Sequence, residues 1–459
     1  MTKRVVIVGG GIAGLTVAER LAALGGDHVQ VELIESDDRT GGKLKTSAFA
    51  GRAGIDEGAD AFLARVPAGV GLARRVGLGE SLTSPTNSHA SVWHDGLHRI
   101  PDGLMLGVPG GVAGLAMSRL LSVRGKLRAA IEPLLPRTSA ADLVAGDSIG
   151  RLIRARFGDE VHERLVDSLV GSIYATDTDR FSLAMVPQLA ELAGGSRSLL
   201  LAARSMRKRR PPTSGPIFYA PASGMQSLSD ATRAAAEAAG VEVRTGSPVS
   251  SVERDGAGWR VDDEPADAVV LATPAAATAP LVAATAPDLA DRLSAMEHAG
   301  VVIVTLAVPD WPERLRGQSG YLVPKPVQRL VTAASFGSQK WAHWRGDGEV
   351  LRVSLGRDGL DVFDRDDENL VAAAVAEVGE HIGLDLQPTA VRISRWPAAF
   401  PQYRPGHRDW LAMVAAATPP GLFLTGASYR GIGVPACIAD AEEVAADVRA
   451  VLVPRGASA

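Results

Sequence analysis

The sequence predicts an α/β protein whose main sheet is assembled from segments that lie far apart along the chain. The chain opens with VVIVGGGIAGLTVAERLAALG, which reads as a buried strand, a glycine turn and a helix, and VQVELIES follows as a second strand. VVLATP at 269–274 indicates a return strand, and GLFLTGASYRGIG near the end indicates a last strand and turn before another helix. Because 459 residues exceed one ordinary core, we expect a discontinuous Rossmann-like domain with other material inserted.

The inserted material is of two kinds. Residues 140–210 have a mainly helical pattern, clearest in SIGRLIRARFGDEVHERLVDSLVGSIYA, whereas residues 300–396 alternate as strands around a helix at DENLVAAAVAEVGEHIG. The runs VEVR, VSSVER and GWRV between 241 and 261 predict a three-stranded ribbon before the return strand. We therefore expect nucleotide-binding segments at 1–75, 216–290 and 397–459, a substrate-binding and helical insertion at 76–215, and the mixed-sheet part of a substrate domain at 291–396.

Composition excludes several classes of function. The 48 basic and 52 acidic residues leave a net charge of −4, so there is no overall attraction to nucleic acid. Cys437 is the sole cysteine, which rules out an intramolecular disulfide and a cysteine-ligated cluster and suits a reducing, cytoplasmic location. Glu19 and Arg20 stand where a signal peptide would need small neutral residues, and prolines interrupt the charge-poor stretches 268–287 and 411–429. We expect no transmembrane segment.

The glycines of the first turn form a dinucleotide fingerprint. Gly9, Gly11 and Gly14 give GxGxxG directly after a strand and at the start of a helix, where glycine permits the tight turn, the approach of a pyrophosphate and close helix–strand packing. The amides and the dipole at the helix start then hold phosphate charge. Glu35 ends the second strand, where a carboxylate can accept hydrogen bonds from both ribose hydroxyls.

The next segment indicates which dinucleotide the chain binds. RTGGKLKT at 39–46 resembles the RxGG extension of the amine oxidase, phytoene desaturase and protoporphyrinogen oxidase superfamily of FAD enzymes. The resemblance implies FAD, bound in a domain of the GR2 or amine oxidase type. In that superfamily a C-terminal strand, turn and helix complete the flavin site, which assigns this role to GASYRGIGVPACI at 426–438. A helix start beside a flavin favours negative charge on it.

Five segments in order sharpen the resemblance. EGADAFLAR (57–65), GSIYATDTDRFSL (171–183), ASGMQSLSD (222–230), RWPAAFPQYRPGH (395–407) and GASYRGIGVPACI (426–438) resemble consecutive signatures of the protoporphyrinogen and coproporphyrinogen III oxidase family, in its Gram-positive bacterial type. Two positions depart from the family pattern: Ala59 stands where proline is frequent, and Ala436 where an acidic residue is usual.

The resemblance implies a reaction. It is the FAD-dependent oxidation of coproporphyrinogen III to coproporphyrin III, a step of heme biosynthesis, with dioxygen as acceptor and hydrogen peroxide as product. No second strand-associated fingerprint for a nicotinamide cofactor is found. The implied partners are the porphyrinogen, dioxygen and the next enzyme of the heme pathway.

Three alternatives stay open. Protoporphyrinogen IX, with fewer carboxylates, is the close alternative substrate. An amine oxidase or carotenoid desaturase can use the same scaffold, although Ser428, Tyr429 and Arg430 stand where amine enzymes carry paired aromatics. A flavin-free nucleotide-binding or escort protein is the alternative outside enzymes.

The predicted site combines the fingerprint with the resemblance, and FAD is expected to be held noncovalently, with Cys437 as a small packed residue. No catalytic triad is apparent, so catalysis would depend on substrate positioning. Arg65 and Arg99 are candidate clamps for substrate carboxylates. The predicted cofactor-binding residues are Gly9, Gly10, Gly11, Ile12, Ala13, Gly14, Glu35, Ser36, Arg39, Gly42, Lys43, Gly58, Ala59, Asp60, Ala61, Val249, Trp396, Gly426, Ile432, Gly433 and Val434.

Other features have simpler interpretations. His94 and His98 have the spacing of a helical metal pair, but Asp95 and Gly96 between them predict a hairpin turn, so no metal site is expected. The glycine-rich apolar segment at 100–118 and the basic run at 204–210 are typical of a buried loop and a solvated loop. For the first segment the alternatives are the lining of an apolar cavity and contact with a membrane surface. For the second the alternative is contact with an acidic substrate or with lipid.

Overall fold

The structure is a computed structural model that describes residues 2–87, 89–136, 147–195, 197–209 and 215–452. The strands, in chain order, are β1 Lys3–Val8, β2 Val29–Ile34, β3 Thr46–Phe49, β4 Arg52–Asp56, β5 Phe62–Leu63, β6 Leu82–Thr83, β7 Ala90–Trp93, β8 Leu97–Arg99, β9 Leu104–Met105, β10 Val108–Pro109, β11 Phe218–Pro221, β12 Glu242–Arg244, β13 Val252–Asp255, β14 Gly258–Val261, β15 Glu264–Ala266, β16 Ala268–Leu271, β17 His298–Val308, β18 Gly320–Leu322, β19 Val331–Phe336, β20 Glu349–Leu355, β21 Ala390–Pro401 and β22 Leu422–Leu424.

Helices lie between these strands and cluster in the middle of the chain. They are α1 Ile12–Gly25, α2 Pro67–Arg75, α3 Val112–Met117, α4 Val123–Ala130, α5 Ile149–Phe157, α6 Asp159–Val161, a π-helix His162–Gly171, α7 Ser172–Tyr174, α8 Pro187–Gly195, α9 Leu199–Arg209, α10 Gln226–Ala238, α11 Ala275–Val282, α12 Pro287–Ser294, α13 Gly337–Lys340, α14 Asp367–Ile382, α15 His407–Ala417 and α16 Val434–Leu452.

The main sheet joins the two ends of the chain. Its order is β12-β2-β1-β16-β22 and all its pairs are parallel. The apolar run of β1 is buried because both faces of the sheet are covered, one by helices and the other by the chain from 252 to 293. On one face α1 packs against the C-terminal α16. The predicted α/β fold with a discontinuous Rossmann-like sheet is confirmed.

The three-stranded ribbon begins one strand later in the sequence than predicted. β12, the run VEVR, does not open the ribbon but pairs in parallel with β2, where Val243 lies opposite Leu33. The ribbon consists of β13, β14 and β15, paired antiparallel. The prediction for VEVR was wrong because its apolar residues complete the edge of the main sheet, and the turn around Gly246 (φ 61°) then separates it from the ribbon.

The second sheet is mixed. Its order is β21-β17-β20-β19-β18-β7-β8, antiparallel except for the parallel pair of β18 and β7. One face packs on α14, which begins at Asp366, whose side chain accepts from the Asn369 amide, and ends at Gly383 with φ 62°. A register shift between Ala299 and Val301 marks a bulge at the start of β17. Because α14 covers one face of the sheet, the opposite face of β17 can line a cavity.

The helical insertion is more broken than its sequence pattern indicates. The amphipathic stretch that starts at α5 is interrupted at Gly158 (φ 88°) and continues as the π-helix. Leu165, Val166 and Phe157 lie in the insertion's own apolar core. Residues 137–146, and Arg210 of the predicted basic run, lie outside the described residues. Within the described ranges, every helix is too short or too polar to cross a bilayer.

Candidate cofactor and substrate site

A cavity of about 490 Å³ lies between the two sheets. One end is lined by the glycine turns of the main sheet and the other by side chains of the second sheet and the helical insertion. This size and enclosure are those of a small-molecule site. The single cavity joins the two regions that the sequence assigns to a nucleotide and to a substrate.

The first glycine turn is shaped for close approach. A Cβ on Gly14 would lie 1.9 Å from the Gly9 carbonyl oxygen, so only glycine lets α1 pack on β1 here. A Cβ on Gly11 would meet nothing within 4 Å, because Gly11 borders the cavity. The first turn of α1 carries no acidic residue, so its backbone amides and positive dipole end are left for an anionic ligand.

Glu35 is held in a fixed orientation at the end of β2. Its Oε2 accepts from the Gly10 amide at 2.6 Å, and its Oε1 accepts from the Asp37 amide at 2.9 Å. Ser36 Oγ also donates to Oε1. The carboxylate lines the cavity while half-buried, and its remaining lone pairs can accept hydrogen bonds from a vicinal diol.

The second glycine turn is bonded to the first. The Gly41 amide donates to the Gly10 carbonyl at 2.7 Å, and Gly41 and Gly42 both have positive φ. Arg39 is not part of the cavity lining; it donates to the carbonyl oxygens of Thr40, Leu44 and Gly42, which fixes the turn. Arg39 is thus a structural support of this turn.

Lys43 brings a partly buried amino group to the cavity wall. Its Nζ donates to the Ala399 carbonyl at 2.6 Å, and burial lowers the pKa of this ammonium. The neighbouring Ala398 has φ 50°, a conformation that a non-glycine residue adopts only under local constraint. Lys43 therefore connects the second glycine turn to a strained point of β21.

The C-terminal turn is fastened to the main sheet and to α16. Asp440 of α16 accepts from Thr425 Oγ1 at 2.6 Å and from the Gly426 amide at 3.1 Å. Tyr403 Oη donates to the Ala427 carbonyl at 2.5 Å. These bonds place Gly426 and Val434, the first residue of α16, in the cavity lining.

A buried charge cluster supports the wall behind Gly58. Asp60 accepts from Lys340 Nζ at 2.7 Å and from Trp341 Nε1 at 3.1 Å. Arg352 contacts both Asp60 and the Gly58 carbonyl. Burial opposes ionisation of Asp60, but Lys340 and Arg352 together hold its pKa below the usual value. Asp60 itself does not line the cavity.

The substrate end of the cavity is largely apolar. Val301 and Ile303 of β17 and Trp396 and Phe400 of β21 line it. Trp396 Nε1 donates to the Glu57 carbonyl at 3.0 Å, which fixes its ring. Such walls exclude water and suit a flat apolar ligand.

An arginine that the sequence analysis missed lies in this wall. Arg357 makes paired contacts of 3.0 and 3.1 Å with Asp167 of the π-helix. Thr178 donates to the same carboxylate through its hydroxyl at 2.7 Å. The pair is buried and joins the second sheet to the insertion.

The structure brings most of the predicted cofactor residues to the cavity. Those lining it are Gly9, Gly11, Ile12, Ala13, Glu35, Ser36, Gly42, Lys43, Gly58, Ala59, Trp396, Gly426, Ile432 and Val434. Gly10, Gly14, Arg39, Asp60, Ala61, Val249 and Gly433 lie outside the lining, several of them as supports of lining residues. The roles assigned to all of these residues stay predictions.

The two candidate clamps lie elsewhere. Arg65 and Arg99 are exposed and neither belongs to the cavity lining. Arg99 pairs loosely with Asp102 at 3.5 Å, with both side chains largely in solvent. The residues around Arg65 and Arg99 in the sequence do not predict whether these side chains are exposed. Arg65 follows the short strand β5 and Arg99 ends the short strand β8, so the packing of these strands decides it.

The lining also contains residues that sequence reasoning did not single out. His298, Val301, Thr332 and Ser354 come from the second sheet, whose alternating apolar pattern was visible but whose cavity-facing side was not. Gly171, Ser172 and Ala175 come from the insertion and fall within the segment GSIYATDTDRFSL. That segment was the signal that could have identified them.

Two negative predictions concern the thiol and metals. Burial raises the pKa of the Cys437 thiol to about 12, and Sγ lies 3.4 Å from the Gly431 carbonyl. His94 and His98 flank the predicted hairpin turn of β7 and β8. Across the described part of the chain, no three potential metal ligands of the His, Cys, Asp or Glu type come together.

The residues at the glycine end fit a flavin adenine dinucleotide. Open space at Gly11 beside uncapped amides suits a diphosphate, and the oriented carboxylate of Glu35 suits a ribose diol. The start of α16 and the apolar walls beyond it suit an isoalloxazine ring.

Comparisons with known proteins agree with this geometry. The family model described as flavin containing amine oxidoreductase matches residues 12–449. The chain is 34% identical to a coproporphyrinogen III oxidase of Mycobacterium leprae over 95% of this chain and 96% of that protein. It is 29% identical to a coproporphyrinogen III oxidase of Bacillus subtilis over 97% of both.

A solved structure has the same architecture. The crystal structure of a putative protoporphyrinogen oxidase from Exiguobacterium sp. 255-15 superimposes with a TM-score of 0.85 at 30% identity. The match covers 98% of this chain and 99% of that one.

Proposed function

The chain belongs to the flavin containing amine oxidoreductase family, and from this membership we propose that it is an FAD-dependent oxidase that converts coproporphyrinogen III to coproporphyrin III. The observation that carries the proposal is that one cavity runs from the dinucleotide fingerprint to the apolar face of the second sheet. The relatives named coproporphyrinogen III oxidase match nearly the whole chain. Protoporphyrinogen IX is the alternative substrate.

The reaction removes six hydrogens from the macrocycle and reduces three molecules of dioxygen to hydrogen peroxide. When bound, FAD supplies the two-electron acceptor for each step and the route to dioxygen. The residues proposed to hold it are those of the two glycine turns, Glu35, and the start of α16.

The protein's contribution is to position the substrate and keep the site dry. Val301, Ile303, Trp396 and Phe400 provide apolar walls against which a flat macrocycle can lie. The positive ends of α1 and α16 and the ammonium of Lys43 favour negative charge at the glycine end. Burial and the nearby Lys43 lower the pKa of the His298 imidazole.

FAD is proposed to be noncovalent. The raised pKa of Cys437 leaves its thiol protonated and poorly nucleophilic near neutral pH. Flavin released by acid precipitation and recovered in the supernatant supports this, and flavin that stays with the pellet contradicts it.

The function is tested by aerobic turnover. The purified protein is incubated separately with coproporphyrinogen III and protoporphyrinogen IX, and porphyrin fluorescence is followed against a protein-free blank. We expect faster oxidation of the tetracarboxylate and three peroxides for each porphyrin formed. Blank-level rates with both substrates refute the proposal, and protein without flavin absorption near about 450 nm favours the non-enzymatic alternative.

Peripheral membrane contact is proposed for the helical insertion. Val123 and Leu127 of α4 are 75% and 64% exposed, and Met117 and Leu134 beside it are 86% and 76% exposed. Between 103 and 131, the range that holds Met117, Val123 and Leu127, the chain has basic residues and no acid, a composition that suits an anionic lipid surface. Flotation with vesicles containing phosphatidylglycerol tests it, with neutral vesicles and a Val123→Ser/Leu127→Ser variant as controls; equal flotation in all three contradicts it.

The cytoplasmic location and an interaction with the next heme-pathway enzyme stay predictions.

A further inference from the structure

Four charged side chains form a closed network outside the site described so far. We call Arg180, Glu297, Asp358 and Arg404 the rim network. Arg404 bonds Asp358 through both guanidinium nitrogens, at 2.6 and 2.9 Å, and also contacts Glu297. Arg180 lies 3.3 Å from Asp358 and 3.2 Å from Glu297. The two cations and two anions balance.

The rim network lies at the end of the cavity where the second sheet meets the insertion. Glu297 immediately precedes His298, and Asp358 immediately follows Arg357, both of which line the cavity. The Asp358 amide also donates to the carbonyl of Ala175, another lining residue, at 2.9 Å. Two residues of the network are thus next to lining residues in the chain, and one of them is also hydrogen-bonded to a third lining residue.

The network also reaches solvent. The side chains of Arg180 and Glu297 are 51% and 53% exposed, whereas Arg404 is 22% and Asp358 only 8% exposed. One half thus faces water and the other faces the interior. Arg180 is therefore the arginine of the network that a carboxylate can reach from solvent.

The cavity itself offers few available cations. Among its lining residues, Lys43 and Arg357 are the basic side chains of the Lys and Arg type. Arg357 is paired with Asp167, which is 1% exposed and cannot be displaced without leaving a buried charge unpaired. Lys43 lies at the glycine end, where it is bonded to Ala399. A substrate with several ionised carboxylates therefore needs guanidinium groups beyond the lining.

We propose that Arg180 and Arg404 bind the peripheral carboxylates of the substrate, and that Glu297 and Asp358 occupy these arginines in its absence. This inference rests on the proposed function, because it assumes a carboxylate-bearing macrocycle. The substrate carboxylate takes the place of Glu297, whose half-exposed side chain can turn into water. Asp358 is 8% exposed and keeps its two bonds to Arg404, so no buried carboxylate is left unpaired. The network thereby favours substrates with more carboxylates.

Steady-state kinetics of the holoenzyme tests the proposal. Arg180→Ala should raise KM for coproporphyrinogen III roughly three- to thirtyfold with kcat nearly unchanged, because it removes binding common to ground and transition states. Glu297→Gln removes a competing carboxylate and should lower KM. The increase of KM with salt should be weaker in Arg180→Ala than in the wild type.

Matched controls separate binding from folding. Arg233→Ala removes an exposed arginine of α10 that pairs with Glu237 at 2.8 Å and should leave KM unchanged. Arg404→Gln with Asp358→Asn keeps a neutral hydrogen-bonding pair, so that no buried carboxylate is orphaned. This double variant should raise KM more for coproporphyrinogen III than for protoporphyrinogen IX.

The outcomes distinguish the two proposals. The inference is overturned if turnover is normal and neither Arg180→Ala nor the double variant changes KM. The rim network would then only stabilise the fold. If the wild-type protein shows no turnover, binding of coproporphyrin III is measured instead by fluorescence anisotropy. Wild-type protein that binds this porphyrin but oxidises neither porphyrinogen refutes the proposed function, and weaker binding by Arg180→Ala then still supports the rim network.

Discussion

Substitutions at Gly11 and Gly14 can distinguish an effect on the stability of the fold from an effect on cofactor binding. Both belong to the same fingerprint, yet the space around them differs. A Cβ at position 14 would lie 1.9 Å from the Gly9 carbonyl oxygen, whereas one at position 11 would meet nothing within 4 Å. Gly11 also has φ −68° and ψ 175°, which alanine adopts without strain.

Gly11→Ala should therefore leave the apoprotein nearly as stable as the wild type. Alanine loses less entropy on folding than glycine but is a slightly poorer residue at a helix N-terminus, and these effects of a few tenths of a kcal/mol roughly cancel. Gly14→Ala should instead cost about 1–3 kcal/mol of unfolding free energy, because the helix must move off the strand.

Gly11→Ala should nevertheless weaken FAD binding. The added methyl group occupies space into which the diphosphate is proposed to fit, and overpacking of about 1–3 kcal/mol corresponds to roughly a five- to hundredfold higher Kd. FAD affinity is measured by titrating apoprotein and following flavin fluorescence, and apoprotein stability by urea unfolding. Wild-type FAD affinity in Gly11→Ala, with intact stability, would refute the placement of the diphosphate at α1.

Three other changes have defined outcomes. Glu35→Lys should lower the FAD content of the purified protein more than Glu35→Gln, since a cation cannot accept the ribose hydrogen bonds; full occupancy in Glu35→Lys contradicts the ribose assignment. Burial raises the pKa of Asp56 from 3.8 to about 6, so the folded state keeps a proton that the unfolded chain loses, and stability falls as pH rises through this interval. Asp56→Asn should reduce that fall in a urea-midpoint series, and an unchanged slope contradicts the raised pKa. Arg357→Met should lower the unfolding free energy by about 3–5 kcal/mol by orphaning Asp167, and adding Asp167→Asn should restore part of it; equal stability of the single and double variants counts against the buried pair.

Local sequence patterns predicted the elements better than their connections. The helix at DENLVAAAVAEVGEHIG was identifiable from its periodicity and ends, because Asp366 and Gly383 provide local signals. VEVR was misplaced because a short apolar run pairs equally well with a ribbon or with a sheet edge, and β2 lies two hundred residues away in the chain. The π-helix after Gly158 was hidden for a related reason: tertiary packing, not local periodicity, sets its wider turn.

The same division between local and long-range information runs through the site. Gly9, Glu35, Ala272 and Gly426 each come directly or almost directly after β1, β2, β16 and β22, and all four line the cavity. Parallel strands gather their carboxyl ends at one edge whatever is inserted between them, so a strand followed by glycine or an acid indicates the cofactor end from sequence alone. The substrate end obeys no such rule. Its walls depend on the bulge in β17, on which face α14 covers, and on the pairing of Arg357 with an aspartate from a distant helix. For that reason Arg65 and Arg99, chosen by residue type, lie outside the lining, while Arg357 and the rim network became visible only when the strands and the insertion were assembled.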